Sequence, residues 1–321
     1  MMKRVISCLL AFVLLFSLCG SAIAAGANAS ANVTASGRGT VTVQVKIPGG
    51  KGSSHGRVTT ALPEGVSVAS AKSLLGKGAI ADLKTTNTSV SFAWACYQDL
   101  QGETAVLELT LRGKPGTFTL RFDLPETGGS FELAVRFTQA FDDVQNPDSW
   151  YYDAVYEAYG LGLMNGKSAS IFAPKASMTR AMLVTTLYRM AGSPEVSGKA
   201  PYSDVRAGSY YEKAVIWADQ TGVVKGTGSG KFAPGDLVTR QQAATMLYRY
   251  AVKIAKISTG SRADLSTFRD GGSVSAYAMS AMRWAVGAGM LQGFPDGTLR
   301  PNGNLTRAQA ASMLVWLAAQ K

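Results

Sequence analysis

The sequence is poor in the residues that most chemistry requires. Its 321 residues include one histidine, His55, and three cysteines, Cys8, Cys19 and Cys96. A single histidine excludes His-rich metal sites, and any histidine-based triad would have to use that residue. Charged residues make up only 17% of the chain and hydrophobic ones 46%, which excludes a solvated polyelectrolyte. After the first 25 residues no apolar run reaches the roughly 18 residues that a membrane span needs. Metal ligands and a cofactor motif are missing from the pattern, and the composition argues against an enzyme.

What is present begins with targeting. Lys3 and Arg4 precede an apolar run from Val5 to Leu18, and Ala22-Ile23-Ala24 follows as at a small-residue cleavage site. Residues 1–25 are therefore expected to be a secretory signal peptide. Leu18 is bulky where a lipoprotein signal before Cys19 would need a small residue. Loss of the leader would leave Cys96 alone, so no intramolecular disulfide is expected and the cores must carry the stability. Cys96 ends the apolar run Val90–Cys96 and reads as a small packed residue before it reads as a reactive thiol. The net charge of +11 falls to +9 without Lys3 and Arg4, spread over the rest of the chain. Basicity of that kind implies an anionic partner or surface without naming it.

Residues 26–140 alternate with period two. Val41, Val43, Val45 and Ile47 face one way and Thr40, Thr42, Gln44 and Lys46 the other. Similar alternation runs through Ala105–Leu111, Phe118–Leu124 and Phe131–Phe137. Pro48-Gly49-Gly50, Pro63-Glu64-Gly65, Lys114-Pro115-Gly116 and Thr127-Gly128-Gly129 punctuate the runs as turns. Seven to nine such strands predict an all-β sandwich.

From residue 141 the spacing becomes helical and an internal repeat appears. Phe141-Asp142-Asp143-Val144, Tyr202-Ser203-Asp204-Val205 and Phe268-Arg269-Asp270 each open a unit. An Ala-rich helix follows, ending in two glycines four apart: Gly162 and Gly166, Gly222 and Gly226, Gly289 and Gly293. Next come Phe172, Phe232 and Leu299, then Pro174, Pro234 and Pro301, and five residues later Thr179-Arg180, Thr239-Arg240 and Thr306-Arg307. Each threonine sits where an N-cap belongs, and Gln242 and Gln309 stand at capping-box spacing in two copies. Leu183, Leu187 and Met190 in the first copy mark one apolar stripe, as do the matching residues of the others.

The early strand Thr40–Val45, the segment Leu62–Val68, and the runs Thr88–Ala93 and Ala105–Leu111 resemble a cohesin-type sandwich. That resemblance implies a dockerin-like module as partner for residues 26–140 and carries over no binding residue. The repeats resemble three surface-layer homology (SLH) domains. The expected organisation is multidomain: signal peptide 1–25, cohesin-like β-sandwich 26–140, SLH repeats at 141–196 and 197–253, and a linker with the third repeat at 254–321. The resemblance implies an all-α three-repeat bundle in pseudo-threefold arrangement. It also implies non-covalent attachment of a secreted protein to the cell wall, or S-layer surface, through secondary cell-wall polysaccharide bearing ketal-linked pyruvate.

Arginine at the first helical position opposes the helix dipole by a few tenths of a kcal/mol, a conflict that an anionic ligand would remove. Arg180, Arg240 and Arg307 are thus candidate polysaccharide-binding residues, able to fork onto carboxylates, with Thr179, Thr239 and Thr306 beside them. The competing role is structural, with the guanidinium bonding nearby carbonyls or Asp143, Asp204 and Asp270. Those aspartates read as turn caps. Trp150 begins its helix and is a candidate sugar-stacking surface, whereas Trp217 and Trp284 lie mid-helix and read first as core. The pattern departs from the family where Met182, Gln242 and Gln309 replace its acidic residue. It departs again where the third copy lacks the Trp-Tyr pair and has Trp316 in place of Arg189 and Arg249.

Gly226–Lys231 looks like a phosphate loop but is followed by Phe232 instead of Ser or Thr. The carboxylates of residues 26–140 form no evident hydrolase pair, so catalysis is not expected. Basic residues do not cluster with an aromatic platform of nucleic-acid type. An alternative for the sandwich is a carbohydrate-binding module gripping extracellular glycan.

Overall fold

The computed structural model describes residues 29–320 except Lys77, Asn87 and Thr127. The expected leader, with Cys8 and Cys19, lies outside the described residues. The chain divides into two compact units, one containing the stretch before Gly65 with 68–111 and 116–136, the other containing 65–67, 112–115 and everything from Phe137 onward.

The first unit holds nine strands among the described residues. They are β1 (Ser30–Gly37), β2 (Thr40–Ile47), β3 (His55–Ala61), β4 (Val66–Ser73), β5 (Ile80–Thr85), β6 (Ser89–Ala95), β7 (Thr104–Gly113), β8 (Gly116–Leu124) and β9 (Gly129–Phe137). They form two sheets, ordered β1-β2-β7-β4 and β5-β6-β3-β8-β9. The period-two expectation holds at the level of side chains. Val41, Val43, Val45 and Ile47 are buried while their neighbours stay half-buried, and Phe92, Trp94, Leu120 and Phe122 line the inner face of the other sheet. Phe92 and Trp94 stack with centroids 5.8 Å apart. Gly56 lies opposite Trp94 in the ladder, and a Cβ there would come 2.5 Å from the indole. Cys96 follows β6, half-buried and unpaired, and burial pushes its thiol pKa up.

The second unit is helical. Its α-helices are α1 (Tyr152–Gly160), α2 (Arg180–Met190), α3 (Glu212–Gln220), α4 (Arg240–Tyr250), α5 (Met279–Gly287) and α6 (Arg307–Ala318). No helix among the described residues is long and apolar enough to cross a membrane. Two helices per repeat bury their stripes in one common core, which Leu183, Leu187, Leu247 and Leu314 share with Trp217 and Trp284. The second helix of each repeat packs on the first helix of another: α2 on α3, α4 on α5, and α6 on α1.

The paired glycines have separate causes. Gly162, Gly222 and Gly289 end their helices at φ of 71°, 68° and 75°, a left-handed turn that costs other residues strain. The second glycine of each pair lies against the aromatic ring that opens its repeat. An added Cβ would stand 2.8 Å from Phe141, 2.7 Å from Tyr202 and 2.5 Å from Phe268 at Gly166, Gly226 and Gly293. Backbone hydrogen bonds tie the repeats together. Val238 N–H donates to Met178 O at 3.0 Å, Leu305 N–H to Val238 O at 2.9 Å, and Met178 N–H back to Leu305 O at 2.8 Å.

Candidate functional site: grooves between the repeats

The threonines cap their helices as the spacing predicts. Thr179, Thr239 and Thr306 accept from the N–H groups of Met182, Gln242 and Gln309, and the two glutamines complete capping boxes. The aspartates cap a turn. Asp143 accepts from Phe172 and Ala173, Asp204 from Phe232 and Ala233, and Asp270 from Leu299 and Arg300, all within 2.7–2.8 Å. Those paired bonds hold Ala173, Ala233 and Arg300 at positive φ, between 50° and 59°, which a side chain rarely adopts.

The arginines at the helix starts are nearly fully buried, each 4–6% exposed. Arg180 donates through Nε to Phe232 O at 2.8 Å and through Nη2 to Lys225 O at 3.2 Å. Arg240 binds Leu299 O and Gln292 O at 2.8 and 2.7 Å, and Arg307 binds Phe172 O and Asn165 O at 2.7 and 2.6 Å. Each guanidinium thus clamps the loop of another repeat and lies over an aromatic ring: Phe232 at 4.8 Å, Phe294 at 4.8 Å and Phe172 at 4.4 Å respectively. The helix N-termini are occupied as well. The N–H groups of Arg180 and Ala181 donate to Asp236 O and Pro234 O, with matching bonds at Arg240, Gln241, Arg307 and Ala308. The expected fork toward a ligand carboxylate is therefore revised, because Nε and Nη2 hold carbonyls and leave Nη1.

Beside Arg180 a groove of about 410 Å³ opens, lined also by Lys225, Thr227, Met246, Arg249 and Tyr277. Arg249 makes no hydrogen bond or ion pair among the described residues, and no carboxylate lines the groove. Burial lowers the pKa of both arginines, the signature of cations held partly out of water. Tyr277 stands at the same repeat position as Trp150 and Tyr210, and all three are exposed, at 55%, 65% and 65%. Trp217 and Trp284 are core, 5% and 1% exposed. Sequence reasoning treated Arg249 and Arg189 only as points of departure for Trp316. Their position nine residues after each helix start, on the face that meets the next exposed aromatic, was the available signal. The phosphate-loop lookalike is an ordinary hairpin turn, closed by Lys231 N–H to Gly228 O at 3.0 Å. No group of three or more potential metal ligands exists among the described residues.

This is a helical module in which each repeat completes the next, with a groove at the joint beside Arg180. Residues 140–181, 201–244 and 267–311 match the S-layer homology domain, so the chain carries three S-layer homology domains. Such domains are non-catalytic anchoring modules. The chain is 31% identical over 182 residues to an endoglucanase of Bacillus sp. (strain KSM-635), covering 56% of this chain and 19% of that protein. It is 27% identical to the surface-layer 125 kDa protein of Lysinibacillus sphaericus, over 53% of this chain and 14% of that one. It is 26% identical to a cellulosome-anchoring protein of Acetivibrio thermocellus, over 47% and 34%. The chain therefore spans between 14% and 34% of the length of these relatives. Structural neighbours of the β region include a non-cellulosomal cohesin from Archaeoglobus fulgidus, at 13% identity and a TM-score of 0.28, covering 35% of this chain and 91% of that one. At that score the likeness carries no argument about what the sheets bind.

Proposed function

We propose that this is a secreted, non-catalytic protein held to the cell wall by its S-layer homology repeats in pseudo-threefold arrangement. The ligand is secondary cell-wall polysaccharide bearing ketal-linked pyruvate. The reciprocal bonds among Met178, Val238 and Leu305 support the arrangement. The observation that carries the ligand is the Arg180 groove. It presents Lys225, Arg249 and the remaining Nη of Arg180 with no lining carboxylate, next to the exposed ring of Tyr277. An acidic sugar satisfies both features, since the carboxylate meets a desolvated guanidinium and the pyranose face covers an aromatic ring. On this reading Trp150, Thr179, Thr239 and Thr306 belong to the polysaccharide-binding surface as well. Several grooves on one polymer raise avidity without new contacts.

The test is sedimentation of the full chain with purified walls. Arg189→Gln with Arg249→Gln keeps the inter-repeat carbonyl clamps, removes the 3.3 Å bond from Arg189 to Leu163 O, and is expected to abolish pelleting with only a small fall in melting temperature. Undiminished pelleting of that variant overturns the reading.

A second reading concerns the sheets, where Tyr97 is 96% exposed at the edge of a groove that also contains Leu74, Gln98 and Gln101. An exposed ring flanked by amides fits extracellular glycan. Tyr97→Ala in the full chain is expected to lose glycan-array signals that Arg189→Gln with Arg249→Gln retains. An unchanged array favours a protein partner such as a dockerin-like module.

A further inference from the structure

The groove beside Arg180 and the equivalent joint at Arg240 share a backbone plan, each arginine holding two carbonyls of the following repeat, and differ in their side chains. Where the first has Lys225, Thr227, Arg249 and Tyr277, the same repeat offsets give Gln292, Phe294, Trp316 and Trp150 in the second. Gln242 and Met246 recur as Gln309 and Met313, and Thr245 as Ser312. Two cations are lost. The one that remains, Arg240, is covered by Phe294 at 4.8 Å and bonded to two carbonyls. Burial and the neighbouring Arg300 push its pKa down to about 10, so it stays charged but is poorly placed to take another cationic neighbour. Arg300 stacks on the same Phe294 ring at 4.0 Å and pairs with Asp296 at 2.7 Å, which neutralises it locally.

In place of charge the second groove offers aromatic surface. Trp150 is 65% exposed, and Trp316 is half-buried with its ring edge-on to Trp284 at 5.8 Å. Phe294 takes over the stacking on arginine that Phe232 and Phe172 supply elsewhere, because Leu299 stands where those phenylalanines do. A carboxylate entering here would meet one guanidinium with two nitrogens already engaged, as Arg180 is, but without the added cations Lys225 and Arg249. The C–H face of an uncharged pyranose loses little water and gains ring contact.

We propose that the grooves divide the polymer between them. The Arg180 groove, and the Arg307 groove with Arg189 and Tyr210, take acidic sugar residues, while the Arg240 groove takes an uncharged one by stacking on Trp316 and Trp150. The division rests on the polysaccharide reading above and specifies it. It makes the module selective for a chain in which acidic and neutral residues recur at the spacing of the grooves.

The experiment uses the full chain with 15N-labelled tryptophan and two probes, acidic fragments of purified wall polysaccharide and the same fragments after mild-acid removal of pyruvate. Neutral fragments are expected to move the indole signals of Trp316 and Trp150 while leaving Trp217 in place, with little dependence on salt. Acidic fragments are expected to bind with affinity that falls about tenfold between low and high salt, and to lose that binding in Arg249→Gln with Arg189→Gln. Trp316→Arg with Phe294→Thr is expected to abolish the neutral response and add one acidic fragment per chain. Acidic fragments that fill all three grooves of the unmodified protein overturn the division alone. Failure of both probes to move any signal, with walls that do not pellet, overturns the polysaccharide reading and the division together.

Discussion

The two units handle charge in opposite ways. On the sheets, cations meet carboxylates at the surface: Lys46 with Glu103, Lys72 with Glu108, Lys84 with Asp82 and Arg121 with Asp123. In the repeats, three arginines are buried without a carboxylate and bond backbone carbonyls of another repeat. Exposed pairs are worth little, because water screens them and two long side chains must be ordered. A buried guanidinium stripped of its acceptors, or a carbonyl stripped of its donor, costs far more. The sheets close their core with alternating apolar residues and use charge as surface, whereas the helical repeats use charge as their joints.

Removing a joint should have the largest effect. Arg307→Ala orphans the carbonyls of Phe172 and Asn165 and is expected to destabilise the helical unit by about 3 kcal/mol in urea unfolding. Arg307→Lys is expected to recover only part of that, since an ammonium cannot fork onto two fixed carbonyls. Equal stability of Arg307→Ala and the parent would dissolve the contrast between the units.

Acid should come next. Burial alone would raise the Asp204 carboxyl, but the N–H bonds from Phe232 and Ala233 outweigh it and hold its pKa below the usual range. Its contribution is therefore complete above the unfolded value near 4 and lost as pH falls through the lower folded value. Thermal melts of the helical unit are expected to be flat from about pH 5 to 8 and to drop below about pH 4, with a shallower drop in Asp204→Asn.

Thr239→Ala removes an N-cap and leaves the Gln242 half of its box, for an expected loss of about 1 kcal/mol. The smallest effect belongs to the sheets. Lys84→Ala breaks a pair whose side chains are 75% and 50% exposed, and should change stability by less than about 0.5 kcal/mol. A larger loss there would mean that surface charge supports the sheets as well.

Particular residues show how much of this could be read in advance. The strand faces were legible because burial on a pleated strand imposes period two, and Val41 to Ile47 obey it. The caps were legible because an N-cap needs a specific side-chain oxygen at a specific offset from its helix. The candidate site was only half legible. Arg180, Arg240 and Arg307 stand out by position, but two of the three donor nitrogens able to fork onto a ligand are engaged by carbonyls. Arg249, which makes no such bond, drew notice only through the Trp316 that replaces it in the third copy.

By itself the sequence determined the change from period two to helical spacing, the three-copy offsets, and which residues cap, turn or fill a core. Each of those is a local property, written in residue type and spacing. Tertiary structure alone decided where the arginines go and which cations remain for a ligand. Their acceptors are backbone carbonyls 45 to 142 residues away, and a carbonyl has the same chemistry whatever side chain sits beside it. The charge count of +11 could announce an anionic partner, but only the packing of one repeat on another separates the arginines that build the protein from those that can meet it.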